Sequence, residues 1–360
     1  MLGIDPKPAR AVWTAFLVVL ALATVYAVRE SIVVFMIALF FSYMLAPVVN
    51  FLSDRLPKRI AHSLALAIVY LSLLGVLIAI GATLGTRLAD EAGMLAKRLP
   101  EVMQKPDWMH AIPLPAWLEP MRDRVIASVQ DEFRMGGKDL MPYLTSLGGK
   151  LLSSLSSVLF IILIPILAFF FLKDGPALRE GLVGGLAGTG RKLADDILND
   201  IHHLLGQYIR AVVLLALSSF VTYTLFLSFT GASYAILLAG VAAVLEFIPV
   251  VGPLSAGVIV ILVSTFSGYP HLLWFVVFWI SARMFQDYVL APYLMSSGVE
   301  LHPLLVLFGV LAGEQIGGIP GMFFSVPVIA TLRVIYVQAM RARRHRDLGL
   351  TKSSESPLAI

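Results

Sequence analysis

Of 360 residues, 58% are hydrophobic and only 14% charged, whereas a soluble domain carries about 25% charged residues, so one water-soluble fold cannot hide this much apolar surface. Lys and Arg outnumber Asp and Glu by 27 to 23, a mild excess that argues against a nucleic-acid binder. Cys is absent, which removes disulfides, thiolate metal sites and cysteine nucleophiles together.

A helix rises about 1.5 Å per residue, so roughly 20 apolar residues cross a hydrocarbon core of about 30 Å. Residues 11–28 and 31–50 carry no charge, with only Arg29 and Glu30 between them, and predict two membrane helices in a tight hairpin. Lys7 and Arg10 precede the first run as in a signal peptide, but another span follows at once with no convincing cleavage site, which makes it a retained helix. Residues 61–86 predict a third span. The segment 87–150 holds nine acidic and nine basic residues and predicts a small extracytoplasmic helical domain. Leu88, Ala92, Leu95 and Leu99 keep a helical stripe, as do Met121, Val125, Val129 and Phe133. The five prolines between them, with Trp108 and Trp117, make a rigid connector suited to the headgroup level.

Residues 151–172 predict a fourth span, ending at Lys173 and Asp174. Residues 173–210 form a cytoplasmic linker whose Leu193, Ile197, Ile201, Leu204 and Tyr208 line one helical face, with Asp195, Asp196, Asn199 and Asp200 turned away: an amphipathic helix against the bilayer or a neighbour. His202 and His203 point about 100° apart on such a helix and make no metal pair. Residues 211–230 are a fifth span. Two short apolar runs, 234–248 and 254–266, are joined by PVVGP at 249–253, which predicts a helical hairpin or broken pair. Residues 271–290 form a further span with Arg283 and Asp287 inside it. Residues 303–312 and 322–337 flank a glycine-rich tip, GEQIGGIPG, at 313–321.

These elements predict an all-α, polytopic membrane protein of about eight spans, with broken or re-entrant hairpins in its C-terminal half. Its parts are a three-span segment (1–86), the extracytoplasmic insertion (87–150), the fourth span (151–172), the linker (173–210), a transport core (211–340) and a basic tail (341–360) suited to anionic lipid. With both termini in the cytoplasm, 15 of the 27 basic residues fall inside and Arg29 is the only one in a short outside loop. The two hairpin tips then point to opposite sides. The predicted location is a bacterial inner membrane.

No Walker-type phosphate loop, HExxH or GxSxG occurs, so ATP-driven pumping by this chain, proteolysis and ester hydrolysis have no residues to stand on, and neither an enzyme nor a bound cofactor or metal is expected. What remains is ionisable residues at membrane depth, each a functional candidate because burying a charge is costly. Glu246 ends an apolar run just before Pro249, Gly252 and Pro253, where the prolines free backbone carbonyls that need a cavity or a partner. Such a carboxylate can hold a cation, accept a proton or bind a polar solute; alternatively it caps broken backbone or meets headgroups. Glu314 stands similarly before Gly317, Gly318 and Pro320, sharing Glu-x-Ile ahead of a helix breaker, as in transporters built from two inward-folded tips. Arg283 and Asp287, four apart on one helix, can pair as a structural couple or as one opened by substrate or proton.

The strings LKDGPALRE (172–180), GQYIRA (206–211), EFIPVVGP (246–253), DYVLAPYL (287–294), HPLLVLFGVLAG (302–313) and GIPGMFFSVPV (318–328) together resemble the autoinducer-2 exporter family of bacterial permease-like membrane proteins. The likeness runs in order along almost the whole chain, by layout alone in the first 150 residues. It departs from the family pattern at Glu314-Gln315, where small or apolar residues are commoner. The resemblance implies a secondary transporter of small molecules, with some relatives assigned to the quorum signal autoinducer-2 and others to sodium/proton exchange, and it implies homo-oligomers. The expected partners are thus a small polar solute or cation, the lipid bilayer and further copies of the chain, and no nucleic acid. Three functions stay open: an exporter or permease lined by the residues above; a sodium/proton antiporter exchanging at Glu246 and Asp287; and a non-transporting membrane scaffold.

Overall fold

The computed structural model describes residues 6–57, 61–103, 158–294 and 301–347. Every regular element among them is helical. Helix α1 (Pro6–Ala27) leads into α2 (Arg29–Ser53). Helix α3 (Ala61–Ile80) passes through a widened π-type turn at Gly81–Gly85 into α4 (Thr86–Met103). Helix α5 spans Val158–Val183 and α6 spans Gly188–Phe229. Then come α7 (Ala235–Leu245), α8 (Val251–Phe266), α9 (Leu272–Phe285), a second π-type turn at Gln286–Leu290, α10 (Ala291–Leu294) and α11 (Pro303–Asp347).

Among the described residues four helices are long and apolar enough to cross a membrane, Arg29–Ser53, His62–Leu95, Gly188–Phe229 and Pro303–Arg344. Apolar side chains as large as Trp13, Leu71, Leu217, Phe229 and Leu311 lie on the outside, which in a water-soluble protein would be an aggregation surface and in a bilayer is the face turned to lipid. The chain is a multi-pass membrane protein.

Several predicted boundaries fall inside continuous helices. Charges at Arg87, Asp90 and Glu91 do not end the third span's helix, and Lys173 and Asp174 do not end the fourth's. Nor does the 173–210 linker lie apart from the fifth span: from Gly188 both belong to the 42-residue α6. Polar residues end a hydrocarbon crossing without ending a helix, because Glu, Lys and Arg are good helix formers in water. The proline at 176 within α5 has no N–H to give the carbonyl of Leu172; the imidazole Nε2 of His62 on α3 takes that acceptor instead, at 3.2 Å. The predicted apolar face of the linker is borne by α6 as half-buried Leu193, Ile197, Ile201, Leu204 and Tyr208, while Asp196, Asn199 and Asp200 are exposed and Asp195 pairs with Arg179 of α5 at 2.8 Å. The proline-rich connector, its tryptophans, the stripe from Met121 to Phe133 and the end of the basic tail lie outside the described residues.

Among the described residues, two apolar cores organise the fold. In one, Leu45 and Val49 of α2 meet Ala65, Leu66 and Val69 of α3, with Phe169 and Leu172 of α5 against them. In the other, the small residues Ala235, Ala239, Ala242 and Ala256 let α7 and α8 fold back against each other, against Tyr223 and Leu227 of α6 and against Phe275 of α9.

The predicted glycine-rich tip is a reversal. Gly318 adopts φ 61 and ψ −143, a combination essentially reserved to glycine, and α11 doubles back there. A Cβ on Gly313 would stand 2.3 Å from the carbonyl oxygen of Gly321, and one on Gly321 would stand 1.9 Å from that of Gly313. In a straight helix residues eight apart are about 12 Å distant, so the contact requires two antiparallel arms.

Candidate functional site

The break between α7 and α8 creates the site. The N–H of Glu246 still bonds the carbonyl of Ala242 at 3.1 Å, so its side chain leaves from the last helical turn of α7. Beyond it Val250 takes φ 64 and ψ −58, and the N–H of Val251 reaches the carbonyl of Pro249 at 2.7 Å. This is a three-residue γ-turn, rare and strained at a β-branched residue. Gly252 makes the reversal tight enough: any Cβ there would fall 1.8 Å from the carbonyl oxygen of Leu245.

Opposite this break, α9 ends in the π-type turn at Gln286–Leu290, a distortion that recurs at functional sites. Arg283 sits one turn before it and bridges two carboxylates. Its Nη1 donates to Glu246 Oε1 at 2.9 Å, its Nε donates to Asp287 Oδ2 at 2.8 Å, and its Nη2 binds the other oxygen of Asp287. The Ser219 hydroxyl of α6 donates to Glu246 Oε2 at 2.8 Å, and Gln286 Nε2 donates to Ser219 Oγ, also at 2.8 Å. The Glu246 side chain is only 7% exposed, Arg283 29% and Asp287 44%. Two acids and one base leave the cluster one negative charge in excess when all are ionised.

These residues face a cavity of about 340 Å³. Glu246, Arg283 and Asp287 form its polar wall, with Pro249, Val250 and Pro253 from the broken hairpin beside them. Leu204, Gln207, Tyr208, Val212 and Leu215 of α6 and Val306, Val326 and Ala330 of α11 also line it, with Ala291 and Leu301. Further along α6 from Ser219, Tyr223 and Phe226 pack ring against ring with Phe275 and Phe278 of α9, with Phe226 and Phe278 stacked at 4.1 Å between ring centroids. Phe247, next to Glu246, packs edge-on against Phe40 of α2 and Phe323 of α11 with centroids 6.0 and 5.4 Å apart.

Of the predicted site residues, the fold thus gathers Glu246, Arg283 and Asp287 into one network, puts Pro249 and Pro253 on the same cavity, and uses Gly252 to close the turn. It does not bring the second set there. Glu314 is exposed and does not line the cavity. Gly318 is the turn of the other hairpin, Pro320 follows it, and Gly317 packs toward Val33 of α2. Ser219 and Gln286 belong to the network and went unnoticed in the sequence, where only ionisable groups stood out from the apolar runs. Among the described residues no group of three or more His, Cys, Asp or Glu is arranged to hold a metal ion.

Comparison with known proteins identifies the family. The family model described as "AI-2E family transporter" matches residues 15–341. YueF of Bacillus subtilis (strain 168), whose name proposes a transport protein, is 24% identical over 360 residues, covering 95% of each chain. PerM of Escherichia coli (strain K12), whose name proposes a permease, is 26% identical over 253 residues, covering 69% of this chain and 66% of its own. A protein of Methanocaldococcus jannaschii, also named for transport, is 22% identical over 316 residues, covering 84% of this chain and 89% of its own. A match that spans both helical hairpins and every residue of the ion network makes the chain a member of the AI-2E transporter family.

Proposed function

We propose that the protein is a secondary transporter that moves a small polar solute, with a quorum signal of the autoinducer-2 type as the leading candidate, across the bacterial inner membrane through the Glu246–Arg283–Asp287 cavity. The observation that carries this reading is the position of the network. Ser219 lies ten residues from the end of α6 at Phe229, and Arg283 lies eleven from the start of α9. Phe40, packed on Phe247, lies eleven from the start of α2. At about 1.5 Å per residue each is about 15 Å from its helix end, half of a hydrocarbon core of about 30 Å. Charged groups at that depth need a water-filled or substrate-filled reason to be there.

The topology we favour has α1, α2, α3, α5, α6 and α9 crossing and the α7–α8 and α11 hairpins entering from opposite faces, with both termini cytoplasmic. The cavity then opens on the cytoplasmic half of α6, between Leu204 and Leu215, and the aromatic cluster of Tyr223, Phe226, Phe275 and Phe278 shuts the outer side: an inward-open state of an alternating-access cycle.

The experiment is paired. Metabolites excreted by cells with and without the protein identify the cargo, and that cargo is then loaded into proteoliposomes carrying the wild-type or Glu246→Gln protein. Flux that needs the protein and falls at least tenfold in Glu246→Gln supports the reading. Flux unaffected by that change overturns it, and a sodium-dependent pH change without solute flux reassigns the cavity to cation exchange.

A further inference from the structure

Glu246 is nearly buried, yet the hydroxyl that donates to it has a second acceptor within reach. In the structure Ser219 gives its single proton to Glu246 Oε2 at 2.8 Å. The atom of Gln286 facing Ser219 at 2.8 Å must then be its amino group, since the hydroxyl has no second proton to donate. The same Gln286 Nε2 lies 3.5 Å from the carbonyl oxygen of Leu215, which is the residue four before Ser219 on α6. A serine within a helix has that i−4 carbonyl in reach of its hydroxyl.

We propose that Ser219 and Gln286 are positioning residues of a two-state hydrogen-bond relay that lets Glu246 take up a proton and return it with no buried polar atom left unpaired. This deepens the transport reading and rests on it for its biological use. In the first state Glu246 is ionised and accepts from Ser219 and Arg283. In the second, Oε2 has bonded a proton delivered by cavity water and donates it to Ser219 Oγ, while the serine hydroxyl rotates to donate to the Leu215 carbonyl. Gln286 donates to Ser219 in both states and is the fixed point about which the hydroxyl turns; the π-type turn is what carries this side chain, 6% exposed, against α6. Return of the proton to water reverses each step. Protonation also weakens the hold on Arg283 Nη1, which still donates to Oε1 of the neutral acid, so the guanidinium is held chiefly by Asp287 and the cluster loosens on the cavity side. The other ionisable groups facing Glu246 are Arg283 from α9, Asp287 from the π-type turn after it, and Tyr208 and Tyr223 from α6. Among the described residues, α11 contributes Val306, Val326 and Ala330 to the cavity, none of them ionisable.

The test is infrared difference spectroscopy of the full chain in liposomes, titrated with pH and reading the C=O stretch of protonated carboxyl groups. Glu246→Gln identifies the Glu246 band by its loss. In Ser219→Ala the band moves to higher frequency, because the protonated acid has lost its acceptor. Its midpoint moves upward by about one pH unit, a tenfold change in proton affinity, because donation to a charged carboxylate is worth more than acceptance from a neutral acid. Ser219→Thr, which restores a hydroxyl, returns both to wild-type values, and this rescue distinguishes the relay from a general loss of packing. Gln286→Leu broadens the band without removing it, as the hydroxyl loses its fixed orientation. A Glu246 band that never titrates, or one whose frequency and midpoint are unchanged in Ser219→Ala, overturns the relay. The two readings fail separately. Infrared shifts as described with solute flux indifferent to Glu246→Gln would leave the relay standing and remove the transport route; the opposite pattern would do the reverse.

Discussion

Removing the guanidinium of Arg283 tests the central network most directly. Glu246, at 7% exposure, has one oxygen held by Arg283 and the other by Ser219. Arg283→Met keeps most of the side chain's volume but leaves two carboxylates with no cation between them. Truncating one partner of a buried pair costs about 3–5 kcal/mol, because the other charge stays buried without compensation. Here Ser219 still donates to Glu246, and Asp287, 44% exposed, turns to water at little expense. The expected loss is therefore at the lower bound, about 3 kcal/mol. Glu246→Gln is milder, at about 1 kcal/mol, since an amide oxygen still accepts from Arg283 and the guanidinium keeps Asp287. In the double variant no buried carboxylate is stranded, so the combined loss should fall about 2 kcal/mol short of the sum of the single losses. Unfolding in mixed micelles by stepwise addition of denaturing detergent, followed by tryptophan fluorescence, measures all four proteins. Additive single losses, or an Arg283→Met protein no less stable than Glu246→Gln, would refute the reasoning.

Gly318→Ala places a Cβ on backbone at φ 61 and ψ −143 and should cost about 1–3 kcal/mol, seen as a lower detergent midpoint and easier proteolysis near the tip. Gly252→Ala is harsher, because the new methyl meets the Leu245 carbonyl at 1.8 Å; the α7–α8 hairpin must open, and both stability and flux should fall, whereas Leu254→Ala on the exposed side of α8 should change stability by less than about 0.5 kcal/mol. Glu91 of α4 accepts from the N–H of Leu237 in the first turn of α7 at 2.9 Å, a cap on the positive end of that helix. Glu91→Ala should cost about 1 kcal/mol and raise amide hydrogen exchange in the first turn of α7 more than anywhere in α2.

Much of this was legible in the sequence because a membrane amplifies a few signals. Apolar runs gave the all-helical, multi-pass class, and the prolines and glycines of EFIPVVGP and GEQIGGIPG marked both reversals. Glu246, Arg283 and Asp287 stood out because a charge within an apolar run is rare. That all three meet was not legible: Glu246 and Arg283 are 37 residues apart, and only the fold-back of α7 on α8 and the register of α9 join them. Ser219 and Gln286 were invisible for a related reason, since an uncharged polar residue in a long helix reads the same whether it faces lipid, a neighbour or a carboxylate. The likeness between the Glu246 and Glu314 strings suggested equivalent places, yet Glu314 remains exposed while Glu246 is enclosed. Burial depends on what packs across from a residue, and local spelling cannot report that.

The unbroken course of α6 has a mechanical consequence. Asp195, tethered to Arg179, and Asp200, bound by Gln338 of α11 at 2.5 Å, ride on the same rigid rod as Ser219. From Asp195 to Ser219 the rod is about 36 Å long, so a tilt of only about 5° at its polar end sweeps the serine through roughly 3 Å, the length of the hydrogen bond it makes to Glu246. Whatever grips or frees those aqueous turns therefore works the far carboxylate as a hand works the short arm of a lever.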